Sequence, residues 1–77
     1  DAPGGGLQMI LTALSPREAE VAALVAAGLS NKEIAHRLAL TEGTIKTYLS
    51  RQIFRKLHVG SRTELAVLIA RELSHAV

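Results

Sequence analysis

The chain has 77 residues, a net charge of +2 and no cysteine. That length allows one small domain with a modest core, and the missing cysteine excludes a disulfide framework or a thiolate metal site. No apolar run approaches the roughly 18 residues of a membrane-spanning helix, and no basic and apolar opening suggests a signal peptide, so a cytoplasmic location is expected.

Asp1 to Gly6 holds a proline and three successive glycines. It reads as a flexible linker. The glycines are not a phosphate loop, because no Lys-Ser/Thr pair follows them. Leu7 to Leu14 is mostly apolar and open to two readings: a lead-in helical turn packed on the domain, or the end of a linker from a neighbouring domain. Residues 1–13 are therefore assigned to a linker or lead-in segment, and residues 14–77 to the domain.

Three helix starts share one chemistry. Ser15-Pro16-Arg17-Glu18, Ser30-Asn31-Lys32-Glu33 and Ser61-Arg62-Thr63-Glu64 each set a serine three residues before a glutamate. The serine oxygen can accept the third-residue amide while the glutamate reaches back to the serine amide. Pro16 suits a first helical position. Thr41-Glu42-Gly43-Thr44 is a weaker variant, with threonine at the third position.

The first helix is expected over about 16–27, with Val21, Leu24 and Val25 inward. Gly28 suits the left-handed residue that ends a helix, and Leu29 can fold back on its last turn. The second is expected over 31–38, with Ile34, Ala35 and Leu38 inward. The third starts near Glu42 and runs to about 57. The fourth is expected over 62–75, with Leu65, Leu68, Ile69 and Leu73 inward. No alternating run of strand length occurs. The fold class is all-α: a small four-helix bundle containing a helix-turn-helix.

Charge is unevenly placed. Between Lys32 and Arg62, seven cations face only Glu33 and Glu42, while the flanks carry five carboxylates against two arginines. A basic block in a nearly neutral chain is the footprint of phosphate binding. The plainer reading is a solvated charged helix face. His36, His58 and His75 lie far apart and Asp1 is the only aspartate. No nucleophile–base pair or metal spacing can be assembled from them. No enzyme activity, catalytic residue, metal ligand or cofactor is assigned.

Five segments together resemble the LuxR-type helix-turn-helix domain, the C-terminal output domain of NarL/FixJ-class response regulators and of quorum-sensing regulators. They are Leu14-Ser15-Pro16-Arg17-Glu18-Ala19-Glu20-Val21, Gly28-Leu29-Ser30-Asn31-Lys32-Glu33-Ile34-Ala35, Thr41-Glu42-Gly43-Thr44-Ile45-Lys46-Thr47, Arg55-Lys56-Leu57 and Ser61-Arg62-Thr63-Glu64. The resemblance covers residues 14 to about 73. It implies a four-helix module that binds double-stranded DNA in transcription regulation, usually as a homodimer. The linker-like start then implies an N-terminal regulatory domain preceding it. A dimer contact could run through the fourth helix.

The resemblance places base-edge contacts on Lys46, Thr47 and Ser50, and phosphate contacts on Asn31, Lys32 and Thr44. Helical geometry supports the first set independently. At about 100° per residue, Gly43, Lys46, Thr47 and Ser50 form one stripe, while Ile45 and Leu49 point the other way. Lysine can donate to guanine N7 and O6, and the threonine methyl can touch a thymine methyl. Gly43 would let the helix start approach a DNA backbone closely. Tyr48 stands where many members of the family have histidine, able to bond a phosphate or to cap the core. Arg51 and Arg55 complete the candidate DNA-facing set.

The sequence departs from the family pattern in the third helix. The family commonly has ten residues between the apolar residue after the threonine and the leucine of Arg-Lys-Leu, and here eleven separate Ile45 from Leu57. An unbroken α-helix would turn Gln52 and Lys56 inward and expose Ile53 and Leu57, at roughly 1.5–3 kcal/mol per large apolar side chain. A single π-bulge near Ser50–Gln52 would absorb the extra residue. His58 stands where the family usually has the helix-ending glycine, a role that Gly60 could take two residues later.

Two other readings are weighed. Gly43-Thr44-Ile45-Lys46 with Leu49-Ser50-Arg51 is similar to the recognition helix of a sigma-factor region 4 module, which leaves the capped fourth helix unexplained. A helical protein-interaction or dimerisation module would use Val67 and Arg71, which face away from the inward stripe of the fourth helix.

Overall fold

The computed structural model describes residues 9–10 and 12–75. The linker assigned to residues 1–6 lies outside them. Among the described residues there is no strand, and four helices enclose one core. Ahead of them, Met9, Ile10, Thr12 and Ala13 are helical, and Ile10 and Leu14 are buried. Ile10 and Leu14 belong to the core cluster.

Helix α1 spans Pro16–Ala26. The Ser15 hydroxyl accepts the Glu18 amide at 3.2 Å, and the Glu18 carboxylate accepts the Ser15 amide at 2.8 Å. Two amides that no helical carbonyl can reach are thus satisfied. Gly28 ends the helix at φ +95°, and the Leu29 amide folds back to the Leu24 carbonyl at 3.1 Å. Helix α2 spans Asn31–Leu38 and repeats the box with Ser30 and Glu33. It stops at Ala39, which is left-handed at φ 57° without being glycine. That conformation costs a non-glycine residue about 1–2 kcal/mol. Thr41 caps the next helix two residues later, which makes the turn tight.

Helix α3 covers residues 42–57 in three continuous stretches. Glu42–Thr47 is α-helical, Tyr48–Ile53 is π-helical and Phe54–Leu57 is α-helical. The Phe54 amide donates to the Leu49 carbonyl, five residues back. The expected bulge is therefore present, as a π-turn somewhat longer than the Ser50–Gln52 window. Its effect on packing is direct. Ile53 is 0% exposed, Leu57 is half-buried against the core and Lys56 is exposed.

His58 itself takes the left-handed position that ends α3, at φ 57°, and Gly60 does not. The Val59 amide then folds back to the Phe54 carbonyl at 3.0 Å. Helix α4 spans Arg62–His75. Ser61 accepts the Glu64 amide at 3.2 Å as expected, but the Glu64 carboxylate bonds the Gly60 amide, one residue beyond the expected Ser61 amide.

The core centre is Val21 of α1, Ile34 of α2, Ile45 and Ile53 of α3, and Leu65 of α4. Every helix contributes to it, and α1 packs on both α4 and the π-turn. Val25, Ala35 and Ile69 are buried as expected, and Leu24, Leu38 and Leu68 pack partly buried at the rim. Leu73 corrects the expected inward stripe of α4, being 50% exposed. It sits near the end of the helix, beside an apolar cleft lined also by the small side chains Ala22, Ala23 and Ala26 of α1. Those alanines are too short to cover it.

Glu18 has a second task. It is 3% exposed, and its carboxylate accepts the Lys56 ammonium at 2.8 Å. The bond joins the start of α1 to the end of α3. The Lys56 hydrogen bond, then the Ser15 amide, hold the Glu18 carboxyl below the usual glutamate range, against the opposing effect of burial. A depressed folded-state pKa stabilises the fold fully above the ordinary value of about 4.3. The contribution is lost as pH falls through the lower folded-state value. Glu18→Gln is therefore expected to flatten the acid limb of the urea midpoint below about pH 5. Some slope should remain, because the Ser30 amide lowers Glu33 in the same way. An acid limb identical to that of the parent chain would show that the Glu18–Lys56 bond does not contribute.

Candidate nucleic-acid interface

The nine candidate residues lie on α2 and α3, with a tight turn between the helices. Asn31 and Lys32 open α2. Thr44, Lys46, Thr47, Tyr48, Ser50, Arg51 and Arg55 follow along α3. Ile34, Ile45 and Leu49 are buried beneath them and fix both helices to the core. Lys32, Lys46, Thr47, Ser50, Arg51 and Arg55 are exposed, and Asn31, Thr44 and Tyr48 are half-buried.

The start of α3 is organised by two threonines. The Thr41 hydroxyl accepts the Thr44 amide at 3.1 Å, and the two hydroxyl oxygens are 2.9 Å apart. With Thr41 as donor in that second bond, the Thr44 hydroxyl hydrogen is free to donate outward. Gly43 follows the cap, and a Cβ built there would meet nothing nearer than the Thr41 hydroxyl at 3.9 Å. The domain's own packing therefore does not require glycine at this position. Thr41, Gly43, Thr44, Thr47, Tyr48 and Gln52 line one open depression on this side of the helix.

The Ser50 hydroxyl is committed. It donates to the Lys46 carbonyl at 2.8 Å, one turn back along the helix. Such back-bonding is a familiar alternative for serine inside a helix. Its remaining lone pairs can still accept, which suits the amino groups of cytosine or adenine and not an acceptor such as guanine N7. Lys46 itself is exposed and makes no ion pair among the described residues.

At the start of α2, the Arg62 guanidinium donates to the Asn31 side-chain oxygen and to the Leu29 carbonyl. With its oxygen engaged, Asn31 keeps its amide hydrogens to donate outward. Arg62 is thus a positioning residue, although the sequence marks it only as part of the basic block and of the 61–64 helix start. Its partners are 31 and 33 residues away, so no local spacing announces the contact. Lys56 likewise belongs to the basic block by sequence but turns to Glu18. Two of the seven cations therefore hold the scaffold.

Among the described residues, no group of three or more His, Cys, Asp or Glu could hold a metal ion. No described helix is long and apolar enough to cross a membrane.

Comparison with known proteins gives a consistent pattern. Residues 12–69 match the family model described as bacterial regulatory proteins, luxR family. The chain is 47% identical over 57 residues to the two-component response regulator PprB of Pseudomonas aeruginosa, covering 74% of this chain and 20% of that protein. It is 42% identical over 59 residues to the nitrate/nitrite response regulator protein NarL of Escherichia coli, covering 77% of this chain and 27% of that protein. It is 48% identical over 58 residues to the transcriptional regulatory protein LnrK of Bacillus subtilis, covering 75% of this chain and 26% of that protein. The chain thus spans about a quarter or less of the length of these relatives.

Proposed function

We infer the function of this chain from one premise: it belongs to the luxR family of bacterial regulatory proteins, and its helix-turn-helix is the sequence-specific DNA-binding domain of a LuxR/NarL-type transcriptional regulator. In our reading, α3 enters the major groove of double-stranded DNA. Lys46, Thr47 and Ser50 read base edges there. Asn31, Lys32 and Thr44 hold phosphates, and Tyr48, Arg51 and Arg55 belong to the same DNA-facing set. The observation that carries this reading is the two-sided build of α3. Its inner side is buried at Ile45, Leu49 and Ile53, and its outer side exposes polar and cationic residues. Anchoring one side rigidly lets the other dock without rearrangement.

The roles differ chemically. Lys46 can pair with guanine N7 and O6, and Ser50 can accept from an exposed base amino group. Lys32, at the first turn of α2, suits a phosphate, because a positive helix end adds to its charge. In a whole protein built like the relatives, a regulatory domain would control this module in the cytoplasm. Two copies would read half-sites about one helical turn, ~34 Å, apart. Val67, 50% exposed on the outward face of α4, supports a dimer contact on that helix.

The test is salt dependence. If binding neutralises about five phosphates, log K falls with log salt with a slope of about −4 to −5. Lys32→Ala is expected to weaken specific and random duplexes alike and to shallow that slope by about 0.9. Affinity that does not respond to salt would favour a protein-interaction module instead.

A further inference from the structure

Ile45, Leu49 and Ile53 are successive core residues of α3, four positions apart, and all three are buried. In an unbroken α-helix each four-residue step drifts by about 40° around the axis, so the third would have left the core side. The π-turn cancels that drift. The same cancellation straightens the other columns of the helix.

Three residues lie between each pair of core positions; the first are Lys46 and Ser50, both exposed, and then Phe54, half-buried against the core. The last of each three leans back on the domain: Tyr48 and Gln52 are half-buried, and Lys56 bonds Glu18. The middle one, opposite the core, is Thr47, then Arg51, then Arg55, and all are exposed. A regular turn after Leu49 would leave room for only two residues before the next core position. The extra residue therefore gives the outer arc one more side chain and sets Arg51 in line between Thr47 and Arg55.

Arg51 and Arg55 are like charges one turn apart on one edge, an arrangement that repels. Neither has a carboxylate partner among the described residues, where the ion pairs are Arg17–Glu20 and Lys56–Glu18. An uncompensated cationic edge directed away from the core suits a polyanion, and guanidinium forks match phosphate oxygens bidentately.

We propose that the π-turn holds Arg51 and Arg55 on one straight edge as a paired grip on phosphates of the DNA strand bordering the groove that α3 enters. This rests on the DNA-reading role above and adds to it. Lys46, Thr47 and Ser50 would set sequence preference, and the arginine pair, one and two turns beyond Thr47, would set affinity independently of sequence.

The experiment measures affinity against salt for the chain on a selected duplex and on a random one. Arg51→Gln and Arg55→Gln are each expected to shallow the slope by about 0.9 on both duplexes. Deleting Gln52 returns the core spacing to four, three, four, which a regular helix can bury, and keeps every cation. In that background Arg51→Gln is expected to change the slope by less than half as much. If the Gln52 deletion does not fold by circular dichroism, deletion of Ser50 removes the same extra residue and serves in its place. An unchanged slope for Arg51→Gln, a loss confined to the selected duplex, or a full loss in the deletion background would overturn the proposal. Lys46→Ala in the same assay separates the two ideas. If it reduces the preference for the selected duplex while Arg51→Gln is silent, only the arginine grip fails. If the chain shows no salt-dependent binding at all, the DNA-reading role fails with it.

Discussion

Ile53→Ala is expected to lower the unfolding free energy by about 2–5 kcal/mol, whereas Gln52→Ala should change it by no more than about 0.5 kcal/mol. The contrast follows from the π-turn. Ile53 is 0% exposed, and Gln52 beside it is half-buried at an open depression. Truncating Ile53 removes apolar burial and leaves a cavity in the core it shares with Val21, Ile34, Ile45 and Leu65, which relaxation fills only in part. A domain of this size has a total stability of about 4–12 kcal/mol, so the loss would take a large fraction of it. Urea unfolding of both variants reads the register of the helix directly. With regular α-helical hydrogen bonding, Gln52 and not Ile53 would lie inward, and the order of the two losses would reverse.

The second large effect is on binding. Lys46→Ala is expected to weaken the preferred duplex by about 1–3 kcal/mol, close to a 5- to 150-fold loss, while affecting random duplex much less. Lys46 stands on the outer side of α3 between the buried residues Ile45 and Leu49, in the stretch that is still regular α-helix. Its ammonium has no carboxylate partner among the described residues, so the substitution breaks no ion pair within the fold and the free domain should unfold at nearly the same urea concentration. Equal losses on preferred and random duplexes would make Lys46 a phosphate contact and move base reading elsewhere on α3.

The helices were legible because their signals are local. Ser15, Ser30 and Ser61 cap within three residues of the amides they satisfy, and Gly28 ends α1 at the position its sequence announces. The irregularity of α3 was legible for a different reason. Against the family resemblance, eleven residues and not ten separate Ile45 from Leu57, and a regular helix would then turn Gln52 and Lys56 inward in place of Ile53 and Leu57. The length of the π-turn was not readable, because neighbouring hydrogen bonds settle it and side-chain type does not.

What the sequence did not announce is long-range or shared. Arg62 with Asn31 and Leu29, and Lys56 with Glu18, join residues 31–38 positions apart. Their charges count toward a basic block in the sequence, yet they brace the scaffold. The Ser50 hydroxyl was legible as a polar group on the right side, but not as one already donating to Lys46. His58 takes the left-handed conformation where glycine is the usual residue, and the Val59 amide still folds back to the Phe54 carbonyl. Leu73 followed the helical spacing of Leu65 and Ile69 but stays exposed, because the α1 residues beside it are alanines.

The outer side of α3 is assigned the reading of DNA sequence. Selection of bound duplexes from a random pool, carried out in parallel with the parent chain and with Lys46→Ala, tests it most directly. The parent is expected to enrich a motif, and the variant to enrich the same motif with one position relaxed. A pool that stays random for the parent, or an unchanged motif for Lys46→Ala, would contradict that assignment.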